Sequence, residues 1–298
     1  MQHYLFKLTL LTVVLHHSFI YAQSLDPKTQ TLYAAGDIAQ CNNKDPELSQ
    51  AHATGKLLMG LLQKDPSAMV LTIGDNVYKD GTLTEFMTCY DKTWGSFKSR
   101  TYPSPGNHEY HTESASGYYQ YFQDSAVQNA TGYYSFNVNS WHIISLNSNL
   151  KNSEHQAQLN WLKADLEENK ERCSFAYWHH PVFSSGEHGN NPQMLDAFKL
   201  LYQAKVSLVL NGHDHNYERF NKLDPDGNLE LSNGIVEIVI GTGGAHLRPI
   251  AKPMANSVVF DSNNYGVLKL VLSSKNIEFS FIPLSGKLSD KGTVHCSL

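Results

Sequence analysis

The chain has 298 residues, 41% of them hydrophobic and 17% charged, with a formal net charge of −5. This balance excludes an intrinsically disordered chain and lacks the basic footprint of a nucleic-acid binder. The length is enough for a sizeable core in one domain or two, and no repeat, charge run or linker-like stretch marks a boundary.

In chain order, Lys7 is the only charged residue before Asp26, and the apolar run 8–15 follows it. Ala22 in Tyr21-Ala22-Gln23 offers a small residue for cleavage, so residues 1–22 read as a signal peptide and 23–298 as one domain. The apolar run is too short to cross a bilayer, and no membrane attachment is expected after cleavage. Residues 31–35 are β-prone and end at Gly36-Asp37. Residues 46–63 read as a helix with Leu48, Leu57, Leu58, Leu61 and Leu62 as its apolar positions. An apolar strand over 68–73 ends at Gly74-Asp75. Residues 82–98 read as largely helical, and 100–105 lead into Gly106-Asn107-His108-Glu109. Residues 132–138 and 141–146 predict a hairpin over Asn139-Ser140. Ser153 with Gln156 predicts a capping box opening a helix that runs to about residue 169. A strand over 173–178 ends at His179-His180-Pro181. A helix over 191–204 precedes a strand over 206–210, which ends at Asn211-Gly212-His213-Asp214-His215. Strands near 235–240, 265–272 and 277–282 complete an α/β pattern.

None of the four cysteines, Cys41, Cys89, Cys173 and Cys296, forms a Cys-x-x-Cys pair, which argues against structural zinc and thioredoxin-like chemistry. An exported chain is expected to use them in one or two disulfides. Three full pairings stay open. Cys41 and Cys89 are favoured as one pair, because each lies shortly beyond one of the first two motif-bearing strands. Asn129-Ala130-Thr131 is a glycosylation sequon, which matters only in a host that glycosylates.

One regularity organises the chain. Polar clusters follow strand-like runs at residues 37, 75, 107, 179 and 213. In α/β proteins ligand sites gather at the carboxyl ends of strands. A single Gly-Asp is usually a turn. Five clusters in series, each offering an oxygen or an imidazole, are poorly explained that way. The candidate metal ligands are Asp37, Asp75, Tyr78, Asn107, His179, His213 and His215. No cysteine is among them, which disfavours a structural thiolate site. His213 and His215, two apart, would face the same way in an extended segment.

The ordered series Gly-Asp, Gly-Asp-x-x-Tyr, Gly-Asn-His-Glu, His-x-Pro and Gly-His-x-His, from Gly36 to His215, resembles the calcineurin-like metallophosphoesterase superfamily. The tyrosine makes it resemble the purple acid phosphatase branch. The resemblance implies two mixed β-sheets packed as a sandwich and flanked by helices in a single domain. It also implies two metal ions. Asp75 would bridge them, with Asp37, Tyr78 and His215 at the first and Asn107, His179 and His213 at the second. His179 is implied rather than His180, because the family's ligand stands two residues before the proline. Many members carry a histidine two residues after the first Asp, where this chain has Ala39. The Tyr78 phenolate favours a trivalent ion, so iron(III) is implied at the first position, with iron(II), zinc or manganese at the second.

The implied reaction is hydrolysis of phosphate monoesters by attack of a metal-bound hydroxide, as in an acid phosphatase. His108 and His188 match positions of substrate-binding or proton-donating histidines: His108 for transition-state charge, His188 as a second phosphate contact or acid. His111, His180 and His246 are weaker candidates, and Glu109 is expected to orient a neighbouring ligand. Two alternatives remain: a phosphodiesterase or nucleotide hydrolase on the same dinuclear site, and a non-catalytic metal-binding protein on this fold. No Gly-x-Ser-x-Gly elbow is present, which argues against a serine hydrolase. The metallo-β-lactamase pattern is only partly matched. Trp141, Trp178, Tyr118 and Tyr119 are not spaced like a base-stacking platform. The expected partner is therefore a small phosphorylated substrate and not a long nucleic acid, and the expected location is secreted, extracellular or periplasmic. Specificity is expected in loops at 110–131, 186–191 and 248–261. Oligomeric state and host stay open.

Overall fold

The computed structural model describes residues 29–42, 44–123, 131–286 and 288–297. The expected signal peptide over 1–22 and Asn129 of the sequon lie outside the described residues. Strand β1 (Gln30–Ala35) pairs in parallel with β2 (Met69–Ile73), and β2 in parallel with β3 (Thr101–Ser104). On its other side β1 runs antiparallel to β11 (Gly266–Leu272), followed outward by β12 (Asn276–Pro283) and β13 (Lys291–His295). The second sheet contains β4 (Tyr134–Val138), β5 (Trp141–Ser145), β6 (Cys173–Tyr177), β7 (Leu208–Asn211), β8 (Tyr217–Leu223), β9 (Ile235–Ile240) and β10 (Ser257–Asp261). Their order is β10-β8-β9-β7-β6-β5-β4. Its centre, β5-β6-β7-β9, is parallel.

Side-chain alternation along these strands builds two hydrophobic layers. Phe175, Tyr177, Leu208, Leu210 and Ile143 face the first sheet, joining Leu32, Ala34, Val70, Leu268 and Leu270. The intervening Ala176, Trp178, Val209 and Ile144 face outward. There they are covered by Leu162 and Leu166 of the helix Asn152–Glu168 and by Phe198 and Leu201 of the helix Leu195–Gln203. The helix Gln50–Lys64 buries Leu58 and Leu62 in the first core. Two mixed sheets flanked by helices form a single domain, as the sequence implied.

Several local expectations are corrected. Residues 82–98 are not one helix. They break into single turns, including the π-helical turn Phe86–Tyr90. Leu48 is exposed, in a 3-10 turn ahead of the helix. The Ser153/Gln156 capping box does not form, because Lys151 is the N-cap and the Gln156 amide donates to Asn160 Oδ1. β8, β10 and β13 had no clear apolar alternation to reveal them. The expected loop 110–131 contains the helix Ser116–Phe122, and 248–261 contains β10. Both disulfides exist: Cys41–Cys89, as favoured, and Cys173–Cys296. Among the described residues no helix is long and apolar enough to cross a membrane.

Candidate metal centre

Every expected donor sits just beyond the carboxyl end of a strand. Asp37 follows β1, Asp75 and Tyr78 follow β2, Asn107 follows β3, His179 follows β6, and His213 and His215 follow β7. The strand ends stay paired into the loops: Ile38 N–H donates to Asp75 O at 2.9 Å and Tyr78 N–H to Ala39 O at 3.0 Å. This lays Asp37 beside Tyr78. Asp37, Asp75 and His213 take left-handed backbone, with φ of 58°, 47° and 71°. Such conformations carry strain in non-glycine residues, cluster at functional sites, and are tolerated best by Asn, Asp and His. Two glycines allow the close approach. A Cβ on Gly106 would lie 2.1 Å from Asp75 Oδ1, and one on Gly212 would lie 2.6 Å from Asp37 Oδ2.

The donors form two groups that share one atom. Tyr78 Oη is 3.0 Å from Asp37 Oδ1, 3.2 Å from Asp75 Oδ2 and 3.1 Å from His215 Nε2. His179 Nε2 is 3.2 Å from Asn107 Oδ1 and 3.2 Å from that same Asp75 Oδ2. The His213 ring stands 5.1 Å from the His179 ring. The 213–215 segment is a bend and not the extended stretch expected. Gly212 O accepts from Asp214 N, and Asp214 O from Asn216 N. His213 therefore joins His179 while His215 joins Tyr78 and Asp37.

Backbone carbonyls fix the imidazole tautomers. His179 Nδ1 lies 2.9 Å from Ile73 O, and His215 Nδ1 lies 2.8 Å from His246 O. A carbonyl only accepts, so each Nδ1 carries a hydrogen and each Nε2 faces the carboxylates, where it offers a lone pair once a bound cation displaces its proton. Burial alone would lower the His179 pKa, but Asp75 and Asp37 override it and push it up to about 10. Burial and the neighbouring His179, His180 and His188 hold His213 far below the usual range. Burial, Asp37 and Asp75 push the Tyr78 phenol well above 10.

Both expected acid–base histidines border this cluster. His108 Nδ1 donates to Lys79 O at 2.5 Å, leaving Nε2 3.7 Å from Asp75 Oδ2. His188 is exposed and stacks on His213, with centroids 4.2 Å apart. His111 packs against His108 and meets Asp80 at 3.2 Å. His246 contributes its carbonyl and not its ring. Glu109 acts on the ligand-bearing loops through their backbone and not through a ligand side chain. It accepts backbone N–H groups from Asn76, Val77 and Gly106, bracing the loops that carry Asp75 and Asn107. Burial, reinforced by Asp75, raises its pKa to about 8.

His180, rated weaker, comes as close as the expected donors. Its ring nitrogens group with those of His179 and His213 within 4.8 Å, while Nδ1 meets Ser148 Oγ at 2.7 Å. Asp214, Glu218 and Glu237, buried beneath the His188 loop, escaped sequence reasoning. Only the position of Asp214 between two candidate histidines could have pointed to it.

Residues 30–217 match the calcineurin-like phosphoesterase family. Purple acid phosphatase 15 of Arabidopsis thaliana is 29% identical over 236 residues, which cover 66% of this chain and 44% of that protein. The chain thus spans less than half of that relative's length. The structure resembles purple acid phosphatase PPD1 from yellow lupin, with a TM-score of 0.73 at 18% identity over 90% of this chain and 54% of that one. It equally resembles GAP50, the anchor in the inner membrane complex of Plasmodium, with a TM-score of 0.72 at 17% identity over 90% of this chain and 89% of that one. At such identities these two likenesses concern the fold alone. The strand ends that gather the seven donors all fall within the matched span, and the chain belongs to the calcineurin-like phosphoesterase family.

Proposed function

We propose that the protein hydrolyses phosphate monoesters at a centre of two metal ions. The observation that carries this reading is the shared position of Asp75 Oδ2, 3.2 Å from both Tyr78 Oη and His179 Nε2. The donor chemistry fits cations. Asp37 and Asp75 are fully buried side by side, and among the described residues no Lys or Arg side chain bonds either. Paired buried carboxylates call for positive charge, and the oriented Nε2 lone pairs supply further ligands. Asp37, Tyr78 and His215 would hold one ion, Asn107, His179 and His213 the other, and Asp75 both. A phenolate suits iron(III) at the first position; iron(II), zinc or manganese suits the second. Such ions supply charge withdrawal from phosphate oxygens and a lowered pKa for water.

The chain's own groups do the rest. His108, its Nδ1 anchored on Lys79 O, presents Nε2 beside Asp75, where a proton on that atom meets a phosphate oxygen. His188 lies on the solvent side of His213, placed to contact phosphate or to protonate a leaving alkoxide. Two disulfides and the N-terminal pattern support export to an oxidising compartment, with residues 1–22 as the signal.

The test is turnover of p-nitrophenyl phosphate and of bis(p-nitrophenyl) phosphate by metal-loaded protein at acid and neutral pH, together with metal analysis and a visible spectrum. Monoester turnover is expected, as is a phenolate-to-iron(III) band. His108→Ala is expected to keep the metals and lose about 10²–10⁴-fold in rate. Turnover of the diester alone would move the protein to the phosphodiesterases. No turnover of either compound would leave a metal-binding protein.

A further inference from the structure

The segment from Val182 to His188 follows β6 and ends at the centre. Three buried carboxylates hold it. Glu237 Oε1 accepts Val182 N–H at 2.9 Å and Phe183 N–H at 3.4 Å. Glu218 accepts Ser185 N–H at 2.8 Å and the Ser185 hydroxyl at 2.5 Å. Asp214 accepts the Ser184 hydroxyl on Oδ2 and His188 N–H on Oδ1, the latter at 2.9 Å. Ser184 Oγ in turn accepts Gly186 N–H at 3.0 Å. Gly186 lies flat on the Asp214 carboxylate, where a Cβ would fall 2.2 Å from Cγ.

Asp214 differs from the other two by its place in the chain. Its neighbours are His213 and His215, and the His188 ring rests on His213 with the planes 28° apart. We propose that Asp214 is a positioning residue, which fixes His188 over His213 by clamping residues 184–188 to the loop that carries the candidate ligands. A buried carboxylate is stable only with donors around it. Both oxygens of Asp214 take theirs from this loop, so the carboxylate and the loop hold one another in place. The kinetic part of the proposal rests on the hydrolytic reading above; the geometric part does not.

The experiment uses Asp214→Ala, Asp214→Asn and Gly186→Ala. In metal-free protein, the carbon-bound ring protons of His188, assigned by their loss in His188→Ala, should show a ring-current shift from His213. Asp214→Ala and Gly186→Ala should abolish that shift. Asp214→Asn should keep it, since an amide can accept from His188 N–H and donate to Ser184 Oγ. In metal-loaded protein, kcat/KM for p-nitrophenyl phosphate should fall about 10- to 100-fold in Asp214→Ala and Gly186→Ala. Metal content should be unchanged, and the loss should all but vanish in the His188→Ala background. An unmoved His188 signal, or losses that add to that of His188→Ala, would overturn the proposal. Should Asp214→Ala fail to fold or lose metal, Gly186→Ala decides, because it leaves residues 213–215 intact. Wild-type protein without turnover would sink the hydrolytic reading, and the His188 shift would still decide the role of Asp214.

Discussion

At the scale of single residues, buried carboxylates set the chemistry of this fold as much as the expected donors do. Glu237 is fully buried on β9, with Oε1 committed to two backbone N–H groups and Oε2 without a partner among the described residues. Burial raises its pKa from 4.5 to about 8, against the pull of the Phe183 and Val182 N–H groups. A carboxyl whose folded pKa lies above its unfolded value binds more protons when folded. Its contribution is therefore fully present below about pH 4.5 and is lost as pH rises through about 8, by up to about 1.4 kcal/mol per pH unit. Glu237→Gln keeps the Oε1 acceptor and removes the titration. Urea midpoints measured from about pH 5 to pH 8 should fall less in Glu237→Gln than in the parent. Parallel slopes would refute the assignment. The donors themselves were legible in the sequence because they recur after strands in one order. Asp214 and Glu237 were not, since a carboxylate that bonds backbone N–H groups at a distance leaves no spacing to read. The nearness of His180 was hidden for a related reason: only the packing of its ring against His213 shows how close it comes.

At the scale of elements, strands with one apolar face per core were readable, and elements stabilised by tertiary contacts were not. β6 and the residue after it alternate Phe175 and Tyr177 with Ala176 and Trp178 between two cores, and the apolar run is unmistakable. Residues 82–98 have helical composition, yet the chain is drawn into separate turns. Cys89 in the π-helical turn is tied to Cys41, Phe86 stacks on Tyr121, and Trp94 Nε1–H donates to Ala51 O. Contacts to three other segments outweigh propensity here. The Cys41–Cys89 bridge closes 48 residues and lines a cavity that Tyr78 also borders. Replacing both cysteines by serine should lower unfolding stability by about 2–4 kcal/mol. The companion pair Cys173 and Cys296, replaced in the same way, should leave the Tyr78 environment unchanged. Denaturant unfolding, with the Tyr78-dependent visible band as a second readout, separates the two. An equal effect of both pairs on that band would contradict the placement.

At the scale of the whole molecule, the α/β class was accessible from periodicity and the two-sheet plan only through the family resemblance, but the pairing of β1 with β11 was not. That contact joins residues near the two ends of the described chain, and no local pattern encodes it. The seven donors come from both sheets. Ions bound among them would stabilise the docked sheets by mass action, on the order of 4 kcal/mol at a thousandfold excess over Kd. Chelator-treated protein should therefore melt several degrees lower, and re-addition of metal should restore the melting point. An unchanged melting point after verified metal loss would show that the centre adds nothing to the docking of the sheets.

The seam between the sheets also sets an order of events in time. Asp37, Asp75, Tyr78 and Asn107 leave the ribosome first, and His179, His213 and His215 follow well behind them. Even then β1 lacks its antiparallel neighbour, because β11, β12 and β13 follow every donor in chain order. All seven donors are therefore synthesised before the sheet that carries the first four of them is complete. Any metal is therefore expected to be held firmly only once β11 has docked against β1.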